Sequence, residues 1–272
     1  MKKISRTSWL NMPYVFWAAA FVIVPLVIVA YYAFTDSSGS FTLENIKALS
    51  SYAGTIRISL EYSLIATVIC LVIAYPFAWL ISRFSENSQR VMTMLVMLPM
   101  WMNLLIRTYS WMNILEQNGI INNLLTKLGL EPVQFLGTPA AVIFGMIYNY
   151  LPYMIIPIYN VLSKLDKSLI DAASDLGANA FNRLTRVLIP LSMPGIISGI
   201  AMVFVPSVST FYISQKLGSG KILLIGDTIE RYIKTSYNYN MGASLSLILM
   251  LIILASMMVM NKTTNDDEEL IV

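Results

Sequence analysis

Aromatic, amide and charged side chains concentrate in one stretch of this sequence, MWMNLLIRTYSWMN. It contains Trp101, Asn103, Arg107, Tyr109 and Trp111. Aromatic faces and carboxylates can bind cations through cation–π contact and charge. With Glu61, which opens another apolar run, the stretch permits a path for a cation but does not by itself require one. Trp and Tyr also form belts at membrane interfaces, and that alternative explains the same residues.

Glu61 and Arg107 lie near the ends of apolar runs, where a charge is costly in lipid. One explanation is that they extend to the membrane surface or form a salt bridge with each other. The other is that Glu61 attracts a cation at the outer mouth of a path. Asp227 and Glu230, in a long polar loop, could add negative charge there or simply be solvated.

Several kinds of chemistry are excluded by composition. The chain has no histidine and a single cysteine, Cys70. Disulfides within the chain, zinc clusters, histidine-ligated haem and Cys–His catalysis therefore cannot form, and we expect neither a catalytic nor a metal site. GSGK at Gly218–Lys221 is not a Walker A motif, because Gln215 and Ile222 stand where Gly and Ser/Thr are needed. It is predicted to be a flexible turn.

The composition indicates an integral membrane protein. Of 272 residues 57% are hydrophobic and 12% charged, with a mean hydropathy of +0.67, whereas soluble domains carry about 25% charged residues. A spanning helix needs about 20 mostly apolar residues. The sequence therefore predicts an all-α, polytopic protein, one transmembrane domain over residues 1–272, with six spans. The spans are Tyr14–Phe34, Tyr62–Ile81, Val91–Trp111, Ala140–Leu162, Val187–Val208 and Ala243–Met260.

Flanking charges predict the orientation. Lys2, Lys3 and Arg6 precede the first span, which is too long for a signal-peptide core, so the N-terminus is expected in the cytoplasm. Six crossings return the C-terminus to the same side. Between spans three and four, NNLLTKLGL is predicted to form a short interfacial helix. Ser209–Asn240 is expected to hold a re-entrant or surface helix. Prolines in or beside the spans would kink them, which favours a transporter or channel.

A charged segment, SKLDKSLIDAASDLGANAFNRLTRVLIPLSMPGI, joins spans four and five. Apolar residues at three- and four-residue steps predict an amphipathic helix: Leu165, Leu169, Ala172, Ala173, Leu176 and Ala180. Ser168 and Asp171 resemble a capping box, and Gly177 is placed as the glycine that ends the helix. The helix could lie on lipid, but its acidic residues and small side chains favour docking into a groove of a partner protein.

The same segment resembles the EAA loop of permease subunits of bacterial ABC importers. The matching residues are Ala172, Ala173, Gly177 and Pro190, while Asp171 stands where the family has Glu. AYPFAWLISR, LPMWMNLLIRTYSW, KLDKSLIDAASDLGA and IPLSMPGIISG further resemble the first permease subunit of spermidine/putrescine importers. This resemblance covers most of the chain from span two onward.

The resemblance implies a type I importer permease in the bacterial cytoplasmic membrane. Residues 163–190, here called the coupling loop, would form a helix that docks onto a cytoplasmic ATPase, with Asp175 among the coupling residues. The implied partners are a second permease subunit, a dimer of ATPase subunits that bind ATP and Mg²⁺, and an extracytoplasmic substrate-binding protein. No cofactor in this chain and no nucleic acid is expected. The implied cargo is a polyamine, carried by alternating access.

Three other interpretations compete. A permease of the same architecture could import thiamine, ferric iron, phosphate or sulfate, and this sequence discriminates poorly among cargoes. A transporter driven by an ion gradient would require inverted repeats and acidic relays within the spans, and neither is found. An intramembrane enzyme is less favoured, because a chain without histidine has no His–Glu metal motif and no Ser–His pair.

Overall fold

The structure, a computed structural model, describes the backbone of residues 12–269 and the side chains of residues 13–260 except residue 167. Lys2, Lys3 and Arg6, on which the predicted orientation depends, lie outside this range. The described chain is helical, with one isolated bridge between Thr35 and Phe41. Its helices are α1 (Met12–Ala18), α2 (Val24–Ala33), α3 (Glu44–Ala48), α4 (Ala53–Arg83), α5 (Glu86–Trp101), α6 (Leu104–Leu115), α7 (Ile120–Lys127), α8 (Pro139–Leu162), α9 (Lys167–Asp175), α10 (Ala180–Arg183), α11 (Ile189–Ser209), α12 (Tyr212–Leu217), α13 (Ile225–Lys234) and α14 (Tyr239–Glu269).

Apolar helices occur where spans are predicted. Among the described residues, five helical segments are long and apolar enough to cross a membrane, and a bent pair qualifies as a sixth. A π-helical turn, Ala19–Ile23, joins α1 to α2, and another, Leu184–Leu188, joins α10 to α11. The predicted all-helical, multi-span architecture is confirmed. The predicted short helix between spans three and four is α7, and the loop after span five contains α12 and α13.

The third span is not the single continuous helix that we predicted. α5 ends at Trp101, and the segment that begins at Leu104 leaves it at 88°. Met102 is extended, with a ψ of 145°. Asn103 then caps α6, because its side-chain oxygen accepts a hydrogen bond from the Leu105 amide at 2.7 Å. An N-cap residue starts a new helix, so the hydrophobic run forms two helices and not one continuous helix.

The chain forms two compact units. In the described part of the first, residues 12–54 and 228–252, α2 is held to α14 by polar contacts. The Asn240 amide donates to the Thr35 carbonyl at 2.7 Å, and the Ser244 hydroxyl donates to the Ala33 carbonyl at 3.1 Å. The Tyr52 and Tyr232 hydroxyls are hydrogen-bonded to each other. The bonds from Asn240 and Ser244 satisfy carbonyls at and just beyond the end of α2, which lack helical partners.

In its described part, the second unit comprises residues 55–227 and 253–269. Its largest apolar cluster joins α4, α8 and α11 through Cys70, Ala74, Ala78, Ile81, Met154, Ile155, Ile158, Leu162, Ile196 and Val203. Another cluster joins α4 and α8 to α6 and α12 through Ala66, Leu115, Ala141, Val142, Met146, Ile213 and Leu217. The Tyr159 hydroxyl donates to Gln89 Oε1 at 3.0 Å, which ties α8 to α5.

Two glycines let α8 and α11 pack closely. A Cβ atom on Gly195 would lie 2.8 Å from the Pro157 carbonyl oxygen, and one on Gly199 would lie 2.7 Å from Met154 Sδ. Small residues four apart are the usual means by which helix backbones approach in a membrane, where burial of apolar surface adds little. The orientation of α11 relative to α8 therefore depends on these positions.

Gly195→Val should destabilise the second unit, since the added side chain meets the backbone of α8. Overpacking of this kind costs roughly 1–3 kcal/mol. We expect a clear fall in the thermal unfolding temperature of the purified protein in detergent. Gly54→Val is the control, because no atom lies within 4 Å of a Cβ at Gly54. Equal melting temperatures for the two variants would contradict the packing described.

Candidate coupling loop and transport path

The helix of the coupling loop, α9, begins with a side-chain cap. Asp166 Oδ1 accepts a hydrogen bond from the Ser168 amide at 2.9 Å, which makes Asp166 the N-cap. The predicted capping box of Ser168 with Asp171 is therefore wrong. The N-cap lies two residues earlier, at Asp166, whose carboxylate accepts the hydrogen bond. Hydrogen bonds from the Ser168 amide and hydroxyl hold the pKa of Asp166 below its usual range. Asp166 thus stays ionised, and its negative charge interacts favourably with the positive end of the helix dipole.

The end of α9 is a Schellman motif. Gly177 has a φ of +80°, its amide donates to the Ser174 carbonyl at 2.9 Å, and the Ala178 amide donates to the Ala173 carbonyl at 3.0 Å. The prediction that Gly177 ends the helix with positive φ is confirmed. No atom lies within 4 Å of a Cβ built on Gly177. Glycine is needed here for the backbone conformation rather than for space.

Much of the apolar stripe of α9 faces away from the unit. Leu169 is 47% exposed, Leu176 89% and Phe181, at the start of α10, 71%. We call these three residues the outward face. Inward contact is made instead by Ile170, 8% exposed, which the predicted apolar stripe did not include. Because the predicted topology places these residues outside the membrane spans, their exposure is compatible with contact to a partner protein or to the lipid interface.

The acidic and small residues of the loop share this exposure. Asp171, Ala172 and Asp175 are exposed and Ala173 is half-buried. Carboxylates beside the outward face would be repelled by an anionic lipid surface, so the loop is better suited to a protein groove.

The loop is firmly connected to the fifth span. Arg183 Nη1 donates to the Ser174 hydroxyl at 2.5 Å, which fixes α10 against α9. From α10 the chain runs through a π-helical turn directly into α11, where exposed Pro190 occupies the first turn. The Tyr75 and Ser192 hydroxyls are 3.0 Å apart and join α11 to α4. A displacement of α9 would therefore be transmitted to α11 as a rigid-body movement.

A cavity of about 320 Å³ separates the coupling loop from α4. It is lined by Tyr75, Pro76, Trp79, Arg83, Ile170, Ala180, Arg183, Leu184 and Leu188. The Arg83 guanidinium stacks over the Trp79 ring at 4.9 Å from its centroid. Buried Ile170 of α9 lines this cavity together with residues of α4, α10 and the π-helical turn.

The predicted path residues do not form a single cluster. Glu61 forms an exposed salt bridge with Arg57 at 2.7 Å, so the alternative of a Glu61–Arg107 salt bridge is wrong. Glu61 pairs with Arg57 because the two residues lie one helical turn apart on the same face of α4. Trp101 is 73% exposed at the end of α5. Asn103 acts as the cap of α6.

Arg107 and Trp111 point into the second unit, one turn apart on α6. Trp111 packs edge-on against Phe144 and Tyr148 of α8, with centroids 4.6 and 5.2 Å apart. Arg107 is only 6% exposed, and its Nε and Nη1 atoms have no hydrogen-bond partner within the described residues. Such buried donors usually face water or a ligand.

Other buried polar groups lie in the same unit. Asn149 of α8, 2% exposed, donates to the Gly145 carbonyl at 2.8 Å, and its Oδ1 has no partner among the residues described. The buried hydroxyls of Ser63 on α4 and Ser207 on α11 also have no hydrogen-bond partner among the residues described. The sequence analysis did not select these residues. A polar residue inside an apolar run, as Asn149 is, was the available signal.

Tyr109 leaves α6 on another side and meets α12. Its ring and that of Tyr212 lie 6.1 Å apart, inclined at 76°. Lys216 Nζ lies 4.9 Å from the centroid of Tyr109 and 5.7 Å from that of Tyr212. Tyr212 and Lys216 are four residues apart, a spacing that places them on one helical face. Their approach to Tyr109 could not be read from the sequence.

GSGK forms a turn, as predicted. The Lys221 amide donates to the Gly218 carbonyl at 2.9 Å, and Ser219 and Gly220 have φ values of +48° and +71°. The Lys221 side chain lies against Gly137, 3.2 Å from a Cβ built there.

Comparison with known proteins agrees with this architecture. The chain is 40% identical over 241 residues to the spermidine/putrescine transport system permease protein PotB of Haemophilus influenzae, which spans 85% of this chain and 84% of that protein. It is 37% identical over 243 residues to PotB of Escherichia coli K12, spanning 86% and 88%. A crystal structure of a bacterial ABC transporter involved in alginate import shares the fold, with a TM-score of 0.76 at 18% identity over 97% of this chain and 98% of that one.

The family relationship extends through five of the six predicted spans. Residues 62–262 match the family of binding-protein-dependent transport system inner membrane components. This region contains α4 from Tyr62 onward, the broken third span, the coupling loop and most of α14. The chain therefore belongs to that family and is a multi-pass membrane permease subunit of an ABC importer.

Proposed function

We propose that this permease imports polyamines, spermidine or putrescine, by alternating access. The observation that carries the proposal is the 40% identity, over 85% of the chain, to a permease named for spermidine/putrescine transport. Relatives this similar along most of their length usually keep the overall cargo class. The aromatic and polar groups of α6, α8 and α12 are chemically compatible with ammonium groups and methylene links.

The proposed importer contains a second permease subunit, two ATPase subunits and an extracytoplasmic binding protein. ATP and Mg²⁺ bind to the ATPase subunits, and this chain carries no ATPase site. The outward face supports docking of the coupling loop onto an ATPase, with Asp171, Ala172, Ala173, Asp175, Gly177 and Pro190 as coupling residues. Movement of α9 would pass to α11 through Arg183 and the π-helical turn.

The proposed path runs beside the buried polar groups of the second unit. Irregular and polar structure at membrane depth is tolerated where it lines a wet cavity. Arg107, Asn149 and Ser207 supply such groups, while Glu61, Trp101 and Trp111 are assigned to the path by their chemistry. Both termini are proposed to be cytoplasmic, which places α6 and α12 towards the outer side.

The cargo is tested by uptake of labelled spermidine into cells that lack this gene, with and without the native chain. We expect the native chain to restore uptake and an excess of unlabelled putrescine to compete. Thiamine, ferric iron, phosphate and sulfate are the comparison cargoes. If the deletion changes the uptake of one of these and leaves spermidine uptake unaltered, the polyamine proposal fails and the permease architecture stands.

A further inference from the structure

Lys216 occupies the position in which an aromatic site would hold a foreign cation. Its ammonium nitrogen lies within 6 Å of two tyrosine centroids, at 4.9 and 5.7 Å. This is the distance at which the ring quadrupole attracts a cation. The rings of Tyr109 and Tyr212, inclined at 76°, form two walls around it, which we call the ring corner.

The Lys216 ammonium makes cation–π contacts with these rings and forms no salt bridge with a carboxylate of the described residues. The salt bridges found in the described part of the chain join Arg57 to Glu61 and Lys234 to Glu230, and neither includes Lys216. An ammonium held by π faces is held less firmly than one in a buried ion pair, so another ammonium can replace it.

The lysine side chain also has the chemistry of the proposed cargo. Its four methylene groups and terminal ammonium form a 4-aminobutyl group, the unit that putrescine and one end of spermidine carry. A corner that accepts Lys216 therefore accepts a cargo ammonium with the same stem. The corner is accessible, because Tyr109 is 42% exposed and Lys216 and Tyr212 are partly exposed.

We propose that the ring corner of Tyr109 and Tyr212 is a binding site for a primary ammonium group of the cargo, which Lys216 occupies until the cargo displaces it. This inference rests on the proposed polyamine function. Lys216 competes as a tethered ligand, at the high effective concentration that a short tether gives. Cargo thus reaches the corner only when a second ammonium or another part of the path adds to its binding.

The test is equilibrium binding of labelled putrescine to the purified complete importer, without its binding protein. Lys216→Met removes the competing ammonium and keeps the apolar stem, so putrescine affinity should rise about tenfold. Adding Tyr109→Leu to that variant should remove the gain, whereas Tyr109→Phe, which keeps the ring, should retain most of it. Lys221→Met is the matched control in the neighbouring turn and should not alter binding.

Unchanged or weaker putrescine binding in Lys216→Met would overturn the inference. So would a gain that survives Tyr109→Leu, because the rings would then not be the site. Lys216→Gln carries the same expectation and replaces Lys216→Met if the latter fails to assemble. Polyamine uptake by the native importer is measured in parallel. Its absence overturns the proposed function and this inference together, while normal uptake without a gain in Lys216→Met overturns the inference alone.

Discussion

Gly177→Asp is expected to abolish cargo uptake while leaving the permease in the membrane at native levels. Gly177 has a φ of +80° and open space around its Cβ. Aspartate reaches this conformation at a cost of roughly 1–2 kcal/mol and meets no clash. In the proposed complex the new carboxylate would lie in the ATPase groove, where an unpaired charge costs several kcal/mol, so uptake should fall at least about 100-fold.

The chain contains a closely matched control for this substitution. α7 ends in the same motif, in which the Gly129 amide donates to the Thr126 carbonyl and the Leu130 amide to the Leu125 carbonyl. Gly129 has a φ of +78° and no atom within 4 Å of its Cβ. Gly129→Asp imposes the same strain outside the coupling loop and should leave uptake within about twofold of native. Equal loss in both variants would show that strain, and not docking, is responsible.

Leu176→Asp should separate the permease from its ATPase subunits. Leu176 is 89% exposed, so its replacement costs the isolated chain little. Burying a leucine side chain in a partner groove contributes about 1.5–3 kcal/mol, and a buried carboxylate adds a further penalty. We expect the amount of ATPase that co-purifies with the permease to fall at least tenfold, about 1.4 kcal/mol or more.

The matching control is Leu128→Asp, at the residue before Gly129. Leu128 is 68% exposed and has the same place in the motif of α7 as Leu176 has in that of α9. ATPase retained at the native level in Leu176→Asp would mean that the outward face is not the docking surface. Since Cys70 is buried and is the chain's one cysteine, a cysteine at position 176 would also allow specific cross-linking to the ATPase.

Much of this fold could be predicted from the sequence because membrane helices carry a strong signal. Long apolar runs located the spans, and Gly177 correctly marked the end of α9. The break after Trp101 was missed, because hydropathy does not register a cap such as Asn103 inside an apolar run. The capping box failed for a related reason, since Asp166 and Ser168 are both residue types favoured at an N-cap.

The candidate path was less predictable, since its contacts join residues far apart in sequence. Tyr212 and Lys216 were not selected from the sequence. Their four-residue spacing fits one helical face, but only the packing of α6 against α12 brings Tyr109 to them. One alternative for Glu61, a salt bridge with Arg107, was wrong because Glu61 pairs with Arg57, one helical turn away on α4. Ile170 was omitted from the predicted apolar stripe, although it is the buried residue of α9 that lines the cavity beside α4.

ATP-driven accumulation is the most direct test of the central claim. The permease, its second permease subunit, the ATPase subunits and the binding protein would be reconstituted in vesicles, with labelled spermidine on the side of the binding protein. We predict accumulation against a gradient that requires ATP on the opposite side and persists when the proton gradient is collapsed. Accumulation that needs no ATP and disappears with the proton gradient would contradict this account.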